Sequence, residues 1–301
     1  MVRIAVIGFG NHVKKNILPA FSRMNSVEIE AVYVLNTQKS SEDACKYGIS
    51  LKDINESVSD DVDWVYISTP NSTHFDYSMQ YLQDGKNVIC EKPLTESAEQ
   101  SEKLIEKANT LGLKLYEVCM YQYHKQFEHL KNMVRKNKGT IKSLSVKFSI
   151  PHLQKENIRY KKELGGGAFL DVGYYPISLI LSLFGEPKKI ELVCLSEDGS
   201  EVDLSGSAIF IYEDFYCIAE WGIGVSYVNE VTLFTQKASF RYPRIFSKPE
   251  DFETIVQVKE GTTYSEEVIG KDDQFVNMFK MFLNKKAQNG FVNYTDLKRQ
   301  A

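Results

Sequence analysis

Arg3-Ile4-Ala5-Val6-Ile7-Gly8-Phe9-Gly10 is an apolar, β-branched run that stops on two glycines, and Val13–Met24 behind it has the apolar spacing of a helix. Strand, glycine turn and helix in that order make a dinucleotide cradle. Gly8 allows the tight turn. Gly10 lets the backbone approach a pyrophosphate, which the free N–H groups and dipole of the helix N-terminus then hold. The third glycine of G-x-G-x-x-G is replaced by Val13, so the helix is expected to stand slightly further from the strand. A lone G-x-G is a weak signal; between a first strand and a first helix it is a much stronger one.

Outward from that turn the pattern repeats. Strands are expected at Val27–Leu35, Trp64–Ser68, Asn87–Cys90 and Lys114–Val118. Helices are expected at Ser41–Tyr47, at Thr73–Asp84, and at Ser97–Leu111 between a Ser-x-x-Gln capping box and Gly112. β-α units of this length imply a parallel sheet covered on both faces. After Tyr121 the texture changes. A helix at Phe127–Lys136 and a strand at Ile141–Ile150 lead through a polar loop and a glycine-rich turn to an apolar helix, Ala168–Phe184. Then come strands at Ile190–Leu195, Gly206–Ile211, Phe215–Trp221, Val225–Phe234, Ser239–Tyr242 and Thr254–Val258, a helix at Phe275–Leu283, and a shortened final helix over 293–301. The expected architecture is an α/β Rossmann domain with a doubly wound parallel sheet over residues 1–120. It is followed by an α+β domain over 121–301 with a large, mostly antiparallel open sheet, one face packed on helices.

The bulk numbers agree with two globular domains. The chain has 301 residues, 43% hydrophobic and 25% charged. Thirty-six basic against 40 acidic side chains leave a net charge of −4, which argues against a nucleic-acid partner. The N-terminal apolar run is too short for a signal peptide, and no apolar run reaches the ~18 residues of a membrane span. Five cysteines without a C-x-x-C pair read as reduced thiols of a cytoplasmic protein. The five histidines have no metal-ligand spacing, so no metal is expected.

In a dinucleotide-binding domain the end of the second strand meets the adenosine ribose. An acid there favours NAD, and a basic group accommodates the NADP phosphate. Here the stretch is Val34-Leu35-Asn36-Thr37-Gln38-Lys39, with no carboxylate. Asn36, Thr37 and Lys39 are groups able to hold a phosphate, which favours NADP over NAD.

Three further motifs follow the glycine turn: Ser68-Thr69-Pro70-Asn71-Ser72-Thr73-His74, Gly85-Lys86-Asn87-Val88-Ile89-Cys90-Glu91-Lys92-Pro93-Leu94, and Gly165-Gly166-Gly167-Ala168-Phe169-Leu170-Asp171-Val172-Gly173. In this order and spacing the chain resembles the Gfo/Idh/MocA oxidoreductases over roughly residues 1–190. The resemblance implies that Gly8, Phe9, Gly10, Asn11, His12, Thr69, Pro70, Asn71, His74, Glu91, Lys92 and Pro93 surround the nicotinamide coenzyme. It implies that Lys92 is catalytic, and that the open sheet serves a homo-oligomer, a dimer or a tetramer. Physical reasoning agrees about Lys92. It lies just past the carboxyl end of a parallel strand, where α/β sheets bind ligands, and Pro93 fixes the backbone there and admits a cis bond.

Asp171 and position 175 share a helix face. Many family members carry histidine at the second place; this chain has Tyr175, which resembles the tyrosine-using branch. That branch includes glucose–fructose oxidoreductase, the dimeric dihydrodiol and xylose dehydrogenases, and the nucleotide-sugar 3-ketoreductases. A phenol can donate a proton to a carbonyl oxygen, and with a pKa of about 10 it gains from a nearby cation. Asn157-Ile158-Arg159-Tyr160 before the glycines, and Val172-Gly173-Tyr174-Tyr175-Pro176-Ile177 after them, look most like the sugar 3-ketoreductases. The resemblance then puts Arg159, Tyr160, Asp171 and Tyr175 at the substrate, with Asp171 and Tyr175 joining Lys92 as catalytic residues and Arg159 gripping a diphosphate. Three readings stand open: reduction of a keto group on a nucleotide-linked deoxysugar with Lys92 and Tyr175 assisting; dehydrogenation of a free sugar, polyol or dihydrodiol; and a non-catalytic dinucleotide-binding regulatory protein.

Overall fold

The computed structural model describes residues 1–284; the expected final helix over 293–301 lies outside them. The chain forms two compact units. One is Met1–Cys119 together with the described residues from Phe275 on, and the other is Met120–Gln274.

In the first unit, β1 (Val2–Ile7) is followed by a wide π turn at Val13–Ile17 that runs into α1 (Leu18–Ser22). Val13, which replaces the third glycine, is fully buried where the helix is wound wide. Then come β2 (Val27–Val34), α2 (Thr37–Tyr47), β3 (Leu51–Asp53), β4 (Trp64–Ile67), α3 (His74–Gln83), β5 (Asn87–Cys90), α4 (Ala98–Leu111) and β6 (Leu115–Glu117). All strand pairs are parallel, in the order β3-β2-β1-β4-β5-β6. The order reverses between β1 and β4, and the crevice beyond the carboxyl ends of such a pair is where open α/β sheets take their ligands. One face buries Ala5, Ile7, Val65, Ile67, Val88, Cys90 and Leu115 against Leu104, Ile105 and Ala108 of α4 and Tyr81 and Leu82 of α3. The other face is aromatic: Tyr116 lies between Trp64, at 5.7 Å, and Phe282, at 4.2 Å. Phe279 packs 4.5 Å from Phe21.

The second unit carries α5 (Lys125–Lys136), β7 (Ile141–Ile150), a π turn at Phe169–Gly173 continuous with α6 (Tyr174–Phe184), and seven more strands. These are β8 (Lys189–Leu195), β9 (Ser205–Ile211), β10 (Tyr216–Ile223), β11 (Val228–Thr235), β12 (Ala238–Pro243), β13 (Thr254–Glu260) and β14 (Thr263–Gly270). The sheet order is β14-β13-β12-β11-β7-β10-β9-β8, with only β7 and β10 parallel. Their crossover is the long connection through α6, as parallel pairing requires. Leu144, Val146 and Phe148 of β7 stand beside Cys217, Ala219 and Trp221 of β10, all buried on one face. The stretch Lys162–Phe184 is long and apolar enough to cross a membrane by composition alone, against the expectation that none would be. Its most apolar 18-residue window is 61% buried, and α6 packs on β7 and β10 as a core helix. The last helix, α7 (Gln274–Phe282), carries the Phe279 and Phe282 that pack in the first unit.

Candidate active site

The glycine turn closes against β4. Gly8 sits at φ +96°, and a Cβ there would lie 2.3 Å from the Ser68 carbonyl oxygen. Nothing comes within 4 Å of a Cβ built on Gly10, and Asn11 at the start of the helix is exposed. A bare turn before an open helix end fits a pyrophosphate. The Phe9 ring takes the Lys14 Nζ over its face at 4.8 Å and the edge of Tyr47 at 6.4 Å. Lys14 is paired with Asp43. Lys14, Asp43 and Tyr47 were not foreseen, because only the fold brings α2 beside the turn.

At the end of β2, Asn36 caps α2: its Oδ1 accepts the Lys39 N–H at 2.8 Å. That oxygen is committed to the helix. Thr37 and the exposed Lys39 remain in the first turn of α2, where an anion is favoured by the helix dipole.

Beyond β5 the Glu-Lys-Pro loop is tied to its neighbours. The Tyr66 hydroxyl donates to the Glu91 carboxylate, and His12 Nε2 lies 2.9 Å from it. Burial pushes the Glu91 carboxyl up. The neighbouring His12, the Tyr66 hydroxyl and the Lys92 charge outweigh burial and hold it below the usual range. Glu91 therefore joins the first helix to the loop. The Lys92–Pro93 peptide is cis. His74, expected among the residues around the coenzyme, has no exposed surface; its ring nitrogens lie 2.7 Å from the Pro93 carbonyl oxygen and 3.1 Å from that of Thr69. It braces these two turns from behind. Thr73 Oγ1 donates to the Pro70 carbonyl at 2.8 Å, shaping the Thr69-Pro70-Asn71 turn.

In the second unit, the three glycines fold the 157–161 loop back on the start of the long helix. A Cβ on Gly166 would meet the carbonyl oxygens of Arg159 and Lys161 at 2.7 Å, and one on Gly167, at φ +117°, would meet Asp203 at 2.5 Å. Asp203 accepts the Phe169 N–H at 2.7 Å through its side chain and the Ala168 N–H at 2.9 Å through its backbone. Asp171 stands in the π turn and Tyr175 in the first turn of α6. Arg159 grips Asp171 with two nitrogens, Nε on Oδ2 and Nη2 on Oδ1 at 3.3 Å. This edge of the guanidinium, expected to grip a diphosphate, is engaged by a carboxylate. Asp171 raises the Arg159 pKa against burial, and a Tyr175 phenolate would raise it further. The Tyr175 ring is buried, with Phe148 at 5.0 Å, Phe246 at 5.4 Å and Tyr174 at 5.8 Å, and its hydroxyl lies 4.0 Å from the Met120 sulfur. The Tyr160 hydroxyl, expected at the substrate, accepts the Leu153 N–H at 3.0 Å and closes its own loop.

Known proteins match this chain over most of its length. The family model described as "Oxidoreductase family, NAD-binding Rossmann fold" matches residues 2–119, and that of the GFO/IDH/MocA C-terminal domain matches residues 127–241. The dTDP-3,4-didehydro-2,6-dideoxy-alpha-D-glucose 3-reductase of Streptomyces violaceoruber is 29% identical, covering 91% of this chain and 82% of that one. The scyllo-inositol 2-dehydrogenase (NADP(+)) IolU of Bacillus subtilis is 28% identical over 72% of this chain and 69% of its own. KijD10, a 3-ketoreductase from Actinomadura kijaniata in complex with NADP and TDP-benzene, superposes with a TM-score of 0.91 at 26% identity, covering 99% of this chain and 94% of that one.

Proposed function

The chain belongs to the GFO/IDH/MocA oxidoreductase family, and on that footing we propose that it reduces a keto group on a nucleotide-linked deoxysugar with NADPH. What carries this reading is a likeness along nearly the whole chain to 3-ketoreductases of dTDP-linked sugars, in a sequence that keeps Lys92 and Tyr175. A dehydrogenase of a free sugar or polyol is the second reading. It is favoured by the inositol dehydrogenase, over a shorter share of the chain.

Residues 1–120 hold the coenzyme. The Gly8–Gly10 turn and the helix behind it take the pyrophosphate, and Thr37 and Lys39 take the ribose phosphate. The bound coenzyme supplies the hydride to the carbonyl carbon. The second unit, Met120–Gln274, holds the substrate. The Tyr175 hydroxyl gives its proton to the carbonyl oxygen, and the Lys92 ammonium stabilises the charge developing there. Arg159, fixed by Asp171, favours the phenolate left behind. Its compartment is the cytoplasm, where thiols stay reduced, and the five cysteines form no disulfide.

The test is NADPH oxidation with a dTDP-linked 3-keto-2,6-dideoxysugar. Lys92→Ala and Tyr175→Phe should each lower kcat by roughly 100-fold or more while the coenzyme Kd stays nearly unchanged. Wild-type turnover in either variant removes that residue from the mechanism. If dTDP fails to raise the melting temperature in the presence of NADP, the nucleotide-sugar reading gives way to the free-sugar one.

A further inference from the structure

The loop that carries Lys92 is held from behind by two buried side chains on different elements. His74 opens α3 and is fully buried; Glu117 ends β6 and is 8% exposed. His74 Nδ1 lies 2.7 Å from the Pro93 carbonyl oxygen, and Glu117 Oε1 accepts the Leu94 N–H at 2.7 Å. The two contacts fall on the C=O and the N–H of one peptide group, that joining Pro93 to Leu94. The second ring nitrogen of His74 faces the Thr69 carbonyl at 3.1 Å, so the ring also references the loop to the turn beyond β4.

We propose that His74 and Glu117 are positioning residues, which together fix the Pro93–Leu94 peptide and so set the place of the Lys92 ammonium at the reacting oxygen. This rests on the reading that Lys92 serves the reaction. A lysine side chain is flexible, so the backbone beneath it must be the fixed part. An error of about 1 Å at a catalytic group costs roughly 100-fold in rate. Hydrogen bonds to both edges of one peptide plane stop it from tilting, which a single bond would allow. Burial, the largest influence on His74, lowers its pKa despite its bonds to Pro93 and Thr69.

The experiment uses the full chain with NADPH and the keto-sugar, comparing Lys92→Ala, His74→Phe, Glu117→Leu and Glu117→Gln. Expected is a fall in kcat of roughly 10- to 100-fold for His74→Phe and Glu117→Leu, with the NADPH Kd unchanged and the Leu94 amide exchanging faster with solvent hydrogen. Glu117→Gln keeps an acceptor for Leu94 and should recover most of the turnover, a rescue that would decide the matter if His74→Phe did not fold. Wild-type kcat in folded His74→Phe or Glu117→Leu beside an inactive Lys92→Ala overturns this proposal alone. Wild-type kcat in Lys92→Ala overturns the role of Lys92 and this proposal with it.

Discussion

Lys248 stands between a serine and a proline and has the sequence context of a solvated loop lysine. In the fold it is 6% exposed, and its ammonium donates to the Ile245 carbonyl at 2.6 Å. Burial, and then the Arg244 charge, opposed by Asp272, bring its pKa down from 10.5 to about 7. Nearby His124 is held at about 3 by its own burial and then by the Lys248 charge. Below pH 7 the folded and unfolded chains both carry the Lys248 proton. Between about 7 and 10.5 only the unfolded chain does, so this residue makes stability rise with pH through that window. Buried cysteines and tyrosines with raised pKa values act the other way above their unfolded values, so the quantity to read is a difference. Urea unfolding at pH 7 and pH 10 should show Lys248→Met losing a rise on the order of 1 to 4 kcal/mol relative to wild type. Parallel curves for the two proteins would contradict it.

Among the elements, the helix that carries Asp171 and Tyr175 depends on a residue far along the chain. Asp203 caps its start from 34 residues beyond Phe169. Asp203→Ala should cost about 1 to 2 kcal/mol, and Asp203→Asn less, by thermal or urea unfolding; equal losses would mean that the cap is not the source. The Gly165–Gly167 motif announces this helix in the sequence, but the acid that closes it has no local signal. The same contrast runs through the chain. Asn87–Cys90 and Ile141–Ile150 are legible to the residue because each is a compact β-prone run with clear turn signals. β3 is three half-buried residues and β14 an edge strand exposed along most of its length, its register made by backbone pairing with β13, so neither shows apolar alternation. α2 begins at Thr37, ahead of the expected Ser41, because the Asn36 cap starts it without an apolar face. The motifs named Lys92, Glu91, Asp171 and Tyr175. They did not show that Arg159 would be paired, that Tyr160 would turn inward to its loop, or that His74 would lie behind the site, since these follow from partners distant in sequence or from side-chain direction.

For the molecule as a whole, the exposed edge of the open sheet bears on assembly. β8 shows Ile190, Leu192, Val193 and Leu195 at 50% to 59% exposure, apolar on both faces of an edge strand. Such an edge is covered in stable proteins, and a second copy of the chain is the expected cover. Sedimentation at micromolar concentration should give a dimer or tetramer, and Leu192→Lys with Leu195→Lys should shift it toward monomer without unfolding it; a wild-type monomer would refute the assembly. The first unit is also discontinuous, since Phe279 and Phe282 of α7 fill the aromatic face left by Phe21, Tyr66 and Tyr116. Multidomain chains commonly fold from the N-terminus as they leave the ribosome. Here that order cannot run to completion: the coenzyme-binding half emerges first yet keeps a bare aromatic face throughout translation of Met120–Gln274, so the domain begun first is the last to be finished.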